Sequence, residues 1–159
     1  MRKILYILTI IAFISCNTKT EKKKVIISNP NNYAKDIIFD VDIKIKNEND
    51  SWEKEKLEHT RNKDLVNDIF EALYNKKLTA YTYYDNSKLS IKEIKEIENQ
   101  ENYSREKISR IQFTEDWLFD KETGCFTKKI NSIVLGYELY NNENKVKGYK
   151  ALFKIKIDN

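Results

Sequence analysis

Glycine occurs three times in 159 residues, at Gly124, Gly136 and Gly148, and no two of them are spaced to cradle a phosphate with successive backbone N–H groups. Nucleotide binding through a glycine-rich loop is therefore excluded. His59 is the sole histidine, which removes multi-histidine metal sites and leaves no spare partner for a His-activated nucleophile. The chain contains no C-x-x-C pair, no H-E-x-x-H and no G-x-S-x-G. Arginine is scarce beside lysine, so the guanidinium fork that grips phosphates bidentately is poorly represented, and nucleic acid is not expected as a partner. The longest apolar run, residues 4–14, is too short to span a membrane: at about 1.5 Å per residue it covers roughly half of a ~30 Å hydrocarbon core.

That short run has a different meaning in its context. Met1-Arg2-Lys3 gives a positive start, residues 4–14 give the apolar stretch, and Ser15 is a small residue followed at once by Cys16. This is the pattern of a bacterial lipoprotein signal, cut before a cysteine that then carries acyl chains. The expected organisation is a signal over residues 1–15, a lipidated polar tether over residues 16–35 and a single domain over residues 36–159. One acyl chain binds a membrane only marginally, whereas two or three hold it firmly, so acyl chains on Cys16 make the membrane a standing partner. Asn17 and the basic run Lys22-Lys23-Lys24 behind the cysteine place the protein on the periplasmic face of the outer membrane. Loss of Arg2 and Lys3 lowers the formal net charge from +4 to +2, so the mature chain is nearly balanced. With Cys16 lipidated, Cys125 has no partner for an intrachain disulfide and is either a buried small hydrophobe or a thiol for an intermolecular bridge.

Within the domain, hydrophobic periodicity predicts α+β architecture: an antiparallel sheet, with a C-terminal three-strand meander plus earlier strands, and two helices packed on it. Residues 25–27 are placed to open a first strand, and residues 28–32 read as a turn. Ile37, Phe39, Val41, Ile43 and Ile45 alternate with Ile38, Asp40, Asp42 and Lys44, the pattern of a half-buried strand with two acids on its wet face. Residues 52–60 read as an irregular or weakly helical connector. Leu65, Val66, Ile69, Phe70, Leu73 and Tyr74 recur at helical spacing over residues 63–75, with Thr60 or Asn62 as the cap. Residues 78–84 read as a strand, and Ser90-Ile91-Lys92-Glu93 has the form of a capping box before a short second helix. Three strands follow over residues 108–119, 126–140 and 147–157. They are separated by turns at Gly124 and at Asn141-Asn142-Glu143-Asn144.

No residue pattern asks for a cofactor or a metal, and no reaction is named, so the chain reads as a non-enzymatic binding protein. A two-carboxylate hydrolase would require acids converging in one cleft. Two aromatic groups are candidate contact residues. Tyr81 and Tyr83, with Tyr84, offer a stacking surface for a small ligand or peptide, which is the alternative reading of the chain. Trp117 and Phe119 share one face of a strand with Phe113 and Glu115, opposite Asp116, Leu118 and Asp120, and run straight into a hairpin turn. That position suits them to anchor the core or to meet a partner, and suits Asp120 to bind the backbone of the turn.

The block Glu115-Asp116-Trp117-Leu118-Phe119-Asp120-Lys121 resembles the "EDWFFDK" block of the GldN/PorN family, the periplasmic ring component of gliding motility and type IX secretion. Ile130 and Ile133 stand where that family has its next apolar strand. Upstream, a helix over residues 65–73 followed by Lys77-Leu78-Thr79-Ala80-Tyr81 is similar to the family's helix and "LTAY" strand. The resemblance covers residues 52–157 and implies a domain that docks with another envelope protein. The chain also departs from the family. Its relatives are longer soluble proteins that assemble with a separate lipoprotein, whereas this one carries its own lipidation signal. Ser132-Ile133-Val134-Leu135 lacks the proline of the family's corresponding stretch. Intact-mass analysis of the protein extracted from membranes is expected to find an amino terminus at Cys16 carrying acyl chains; an unmodified terminus in a detergent-independent fraction would contradict the signal reading.

Overall fold

Residues 31–157 are described by the computed structural model. Their elements run β1 (Asn31–Asp42), α1 (Ser51–Leu57), α2 (Asn62–Tyr74), β2 (Ala80–Tyr81), α3 (Ile91–Glu98), a 3-10 turn (Arg105–Lys107), β3 (Ile108–Asp120), β4 (Cys125–Tyr140) and β5 (Val146–Lys156). The strands form one antiparallel sheet in the order β1-β3-β4-β5-β2. The signal, the lipidated cysteine and the expected strand over residues 25–27 lie outside the described residues.

Register explains why the sheet has one oily side. Phe39 faces Phe113, Phe113 faces Ile133, Ile133 faces Ile155 and Ile155 faces Ala80, so a single apolar row crosses all five strands. The next row, Val41, Ile111 and Leu135, lies on the same side. Val66, Ile69, Phe70 and Leu73 of α2 and Ile94 of α3 close over these rows, and Phe70 meets Phe153 edge to face at 5.6 Å. Three residues from different segments are tied at the rim: Glu98 of α3 accepts hydrogen bonds from Tyr74 of α2 and from Arg105, 2.6 Å away. The Arg105 guanidinium lies 4.2 Å over the Phe70 ring, so this cation also roofs the core.

Several elements depart from their sequence expectations, each for a local reason. Among the described residues there are three α-helices rather than two. The stretch expected to be an irregular connector contains α1, because Asp50 accepts hydrogen bonds from the backbone N–H groups of Trp52 and Glu53 and so caps a helix too charged to show periodicity. The α2 cap is Arg61, with no side-chain bond to the first turn, and neither Thr60 nor Asn62 fills that role. The strand expected over residues 78–84 shrinks to Ala80–Tyr81. The chain turns at Thr82, whose hydroxyl bonds the Asp85 carboxylate while its backbone N–H donates to Ser87. β1 begins at Asn31, inside the stretch expected to be turn and tether, and its ladder ends at Asp42 rather than Ile45. The capping box at Ser90 and Glu93 is present in both directions, and Gly124 and Asn144 adopt the left-handed conformation expected of their turns.

α2 ends in a Schellman motif with an unusual occupant. The Lys77 N–H reaches the Ala72 carbonyl at 2.8 Å and the Lys76 N–H reaches the Leu73 carbonyl at 3.0 Å, which puts Lys76 at φ 57°. A side chain there crowds its own backbone. Lys76→Gly relieves that crowding and is expected to raise stability by about 0.5–1 kcal/mol, read as a higher midpoint in urea at unchanged slope.

Candidate functional site

The hairpin formed by β3 and β4 is longer than the helices that cover it. The packed core reaches Phe113 and Ile130, and beyond them the core-side face of the hairpin continues as an overhang. β1 runs alongside, pairing Ala34 with Trp117 and Asn31 with Phe119. Four aromatic side chains gather on this overhang. Trp117 meets Phe126 at 5.8 Å and Phe119 meets Phe126 at 6.5 Å, while Tyr33 from β1 meets Phe119 edge on at 6.2 Å. Tyr33 is 55% exposed and Phe126 53% exposed, so these rings present a free surface.

A buried charge fixes the inner end of the overhang. Glu115 is 2% exposed, yet its carboxylate is satisfied: it accepts the Trp117 indole N–H and pairs with Lys128 at 3.0 Å. The same ammonium lies 5.1 Å from the Trp117 ring and 5.2 Å from the Phe39 ring. One lysine thus neutralises the acid and holds two aromatic rings in place.

The opposite side of the same strand secures two irregularities. β4 has an extra residue at Asn131, between the pairs Thr114–Ser132 and Glu115–Ile130, and β1 is displaced near Asp36, whose φ is 52°. Asp116 accepts a hydrogen bond from the Asp36 N–H at 2.9 Å and another from the Asn131 side-chain amide at 3.0 Å. These bonds, the backbone one first, hold the Asp116 carboxyl below its usual range. At the hairpin tip Asp120 accepts from the Thr123 hydroxyl at 2.8 Å and the Glu122 N–H at 2.9 Å, the turn-binding role expected of it.

The far side of the sheet bears a second feature. Asp40, Gln112, Val134, Lys154 and Tyr81 form a row across all five strands on the face opposite the core. Beside it Arg110 lies over Gly136 and pairs with Asp42 at 2.8 Å and Asp40 at 3.3 Å, while its guanidinium stacks 3.9 Å over the Tyr149 ring. Asp40 also accepts from Gln112 at 3.0 Å. Burial pushes the Asp42 carboxyl up, but the hydrogen bonds from Arg110 and Lys46 outweigh it and leave the carboxyl low. This network borders a groove of about 560 Å³, closed on one side by Tyr83 and Tyr84.

The candidate residues of the sequence therefore separate. Trp117 and Phe119 come together with Phe126 and Tyr33, and neither belongs to the core, so the expectation that they anchor it is corrected: the helices end before them. Tyr81 and Tyr83 lie at the other edge of the sheet, each beneath a lysine, Lys156 at 4.3 Å and Lys154 at 5.9 Å. Cys16 lies outside the described residues. Cys125 is exposed, which corrects its reading as a buried hydrophobe. Tyr33 was missed because it stands in a polar stretch and its bulge breaks the alternation. Asp40 and Asp42 are paired with Arg110 and not merely solvated. Among the described residues no three His, Cys, Asp or Glu side chains gather to hold a metal, and no helix is long and apolar enough to cross a membrane. The buried acids Glu115 and Glu138 are each paired with a separate lysine, Lys128 and Lys44.

What the fold defines is an α+β domain with a partly exposed aromatic cluster on the β3–β4 hairpin, joined by Tyr33 of β1. The family model for gliding motility associated protein GldN matches residues 28–158, and the chain belongs to that family. No curated protein matches it.

Because Asp116 holds both bulges, Asp116→Ala is expected to speed amide hydrogen exchange at Asp36 by about tenfold or more, while Asp116→Asn, which keeps an acceptor oxygen, retains most of the protection. Gly136→Ala places a methyl group 3.1 Å from the Arg110 Cβ, and is expected to cost about 1–3 kcal/mol in denaturant unfolding.

Proposed function

We propose that this GldN-family protein is an acyl-anchored lipoprotein of the periplasmic face of the outer membrane, whose domain docks onto another envelope protein of the gliding-motility and type IX secretion apparatus. Family membership supports the setting, and Cys16 in its signal context supports the anchor. The observation that carries the docking reading is the overhang. Trp117, Phe119, Phe126 and Tyr33 form an aromatic surface that the chain's own helices leave uncovered, and aromatic residues of this kind dominate the energetics of protein interfaces. Three features prepare it for a partner. The Glu115–Lys128 pair fixes the rings, the turn at Asp120 fixes the tip, and Asp116 fixes the strand beside it. Such preorganisation reduces the ordering cost of association. The block of sequence that resembles the family, residues 115–121, supplies Trp117 and Phe119 of this surface, while Tyr33 and Phe126 join from β1 and β4.

The reading is tested with the full chain in cells. A photo-crosslinking residue placed at Phe126 or Tyr33 is expected to capture one envelope protein in high yield, and one placed at the exposed His59 is not. Trp117→Ala and Phe119→Ala, introduced with the crosslinker at Tyr33, are expected to lower capture by about tenfold or more, the effect of losing an aromatic anchor. Capture from His59 alone, or capture indifferent to both substitutions, would place the interface elsewhere.

A further inference from the structure

The groove on the sheet face opposite the helices belongs to none of the machinery described above. Its floor includes Val134, Gly136 and Ala151, one wall is the Tyr83-Tyr84 turn, and the other side carries Arg110 and Tyr149. We propose that this groove is a binding site for a neutral oligosaccharide, with Tyr84 as the stacking platform and Asp40, Gln112 and Arg110 as the hydroxyl-binding groups. The proposal is independent of the docking surface, which lies on the core-side face of the β3–β4 hairpin.

The first argument is the ring. Tyr84 is 90% exposed, and among the described residues the ring it meets is Tyr83, edge to face at 5.3 Å. The turn that carries it is not slack. The Thr82 N–H donates to the Ser87 carbonyl at 2.8 Å, the Ser87 N–H donates to the Asp85 carboxylate at 3.0 Å, and Tyr81 bridges to Lys88 at the base. The Asp85 carboxyl is held down at about 2, chiefly by the Thr82 hydroxyl and then by Ser87. A rigid aromatic side chain offers contact area at small entropic cost. The C–H face of a sugar ring is a flat apolar surface that suits it, because dispersion contacts accumulate over the whole ring.

The second argument is charge. Arg110 sits between Asp40 and Asp42, and Gln112 is fixed on Asp40, so the polar groups at the groove are rigid and already neutralised. An ionic ligand would have to break pairs to gain one. A hydroxyl group does not, since it can both accept from a guanidinium or an amide and donate to a carboxylate that keeps its cation. Fixed planar groups beside an aromatic platform therefore favour a polyhydroxylated neutral ring over an anion. Lys150 at the rim and Lys154, on the same sheet face beneath Tyr83, would favour an anion instead, and the test addresses both.

The third argument is size. A volume near 560 Å³ is within the roughly 300–1,000 Å³ of small-ligand sites and accommodates two or three sugar rings at most.

The test uses the full chain in a detergent without a sugar headgroup, titrated with chitotriose and maltotriose and followed by saturation-transfer NMR and calorimetry. At least one trisaccharide is expected to bind, with transfer to its ring C–H protons. Tyr84→Ala and Gln112→Ala are each expected to weaken binding by about tenfold, with the far-ultraviolet spectrum unchanged because both side chains lie outside the core. Trp117→Ala is expected to leave sugar binding as it was, so that failure here and failure of the docking reading are told apart. The proposal is overturned if neither trisaccharide binds, if Tyr84→Ala binds as tightly as the unaltered chain, or if trigalacturonate binds more tightly than both and loses that advantage in Lys150→Ala or Lys154→Ala, which would make the groove an anion site.

Discussion

The register of the β3–β4 hairpin is the constraint on which the rest of this domain depends. From Ile111 to Phe113 the hairpin pairs residue for residue with β4, and the side chains on one side are oil for the helices. The extra residue at Asn131 then shifts the pairing, and the strand continues with Glu115, Trp117 and Phe119 on that side. Asp116 stabilises the shift by binding the inserted residue and the displaced backbone of β1 at once. A one-residue slip of a strand exchanges its faces, so without a fixed bulge Ile130, Lys128 and Phe126 of β4 would trade places with Asn131, Lys129 and Thr127. The make-up of the aromatic surface is in this sense a product of two hydrogen bonds on the other side of the strand.

The two faces of the sheet are stabilised by different physics. The helix-covered face gains from apolar burial, with Phe70, Phe153, Leu135 and Ile155 fully enclosed. Among the described residues the open face has no helical layer over it and uses long polar side chains as its cover. Arg110 lies across Gly136 from the acids of β1 to the ring of Tyr149 on β5, and so links strands that never pair with each other. Each contact is worth little where water competes, but a planar guanidinium that is both paired and stacked loses less freedom per contact than a lysine would.

The fold class was largely legible from periodicity. The alternation from Ile37 to Ile43, the helical spacing from Leu65 to Tyr74, the capping box at Ser90 and the three C-terminal strands all follow from rules of side-chain direction that hold wherever the backbone is regular. What was not legible lies where the backbone is irregular or the signal is electrostatic. The strand from Asn31 is polar and twice displaced, α1 is held by one aspartate and a dense charge pattern, and Tyr81 leaves its strand after a single step because Thr82 and Asp85 bond each other. At the candidate surface, the Trp117 and Phe119 positions were readable as one face of one strand. That this face outruns the helices was not, because it depends on where elements distant in sequence end. Tyr33 reaches the surface from a segment with no apolar pattern at all, and only the pairing of β1 with β3 brings it there.

The displaced backbone at Asp36 has a consequence for self-association. β1 is an outer strand of the sheet, and a long flat border of unpaired amides invites indiscriminate strand addition by a neighbouring molecule. Here that border is bent at Ala34 and Asp36, charged at Lys35 and Asp36, and one of its amide protons is already committed to Asp116. Growth by stacking sheet upon sheet along this border is thereby frustrated, and selectivity is left to side chains.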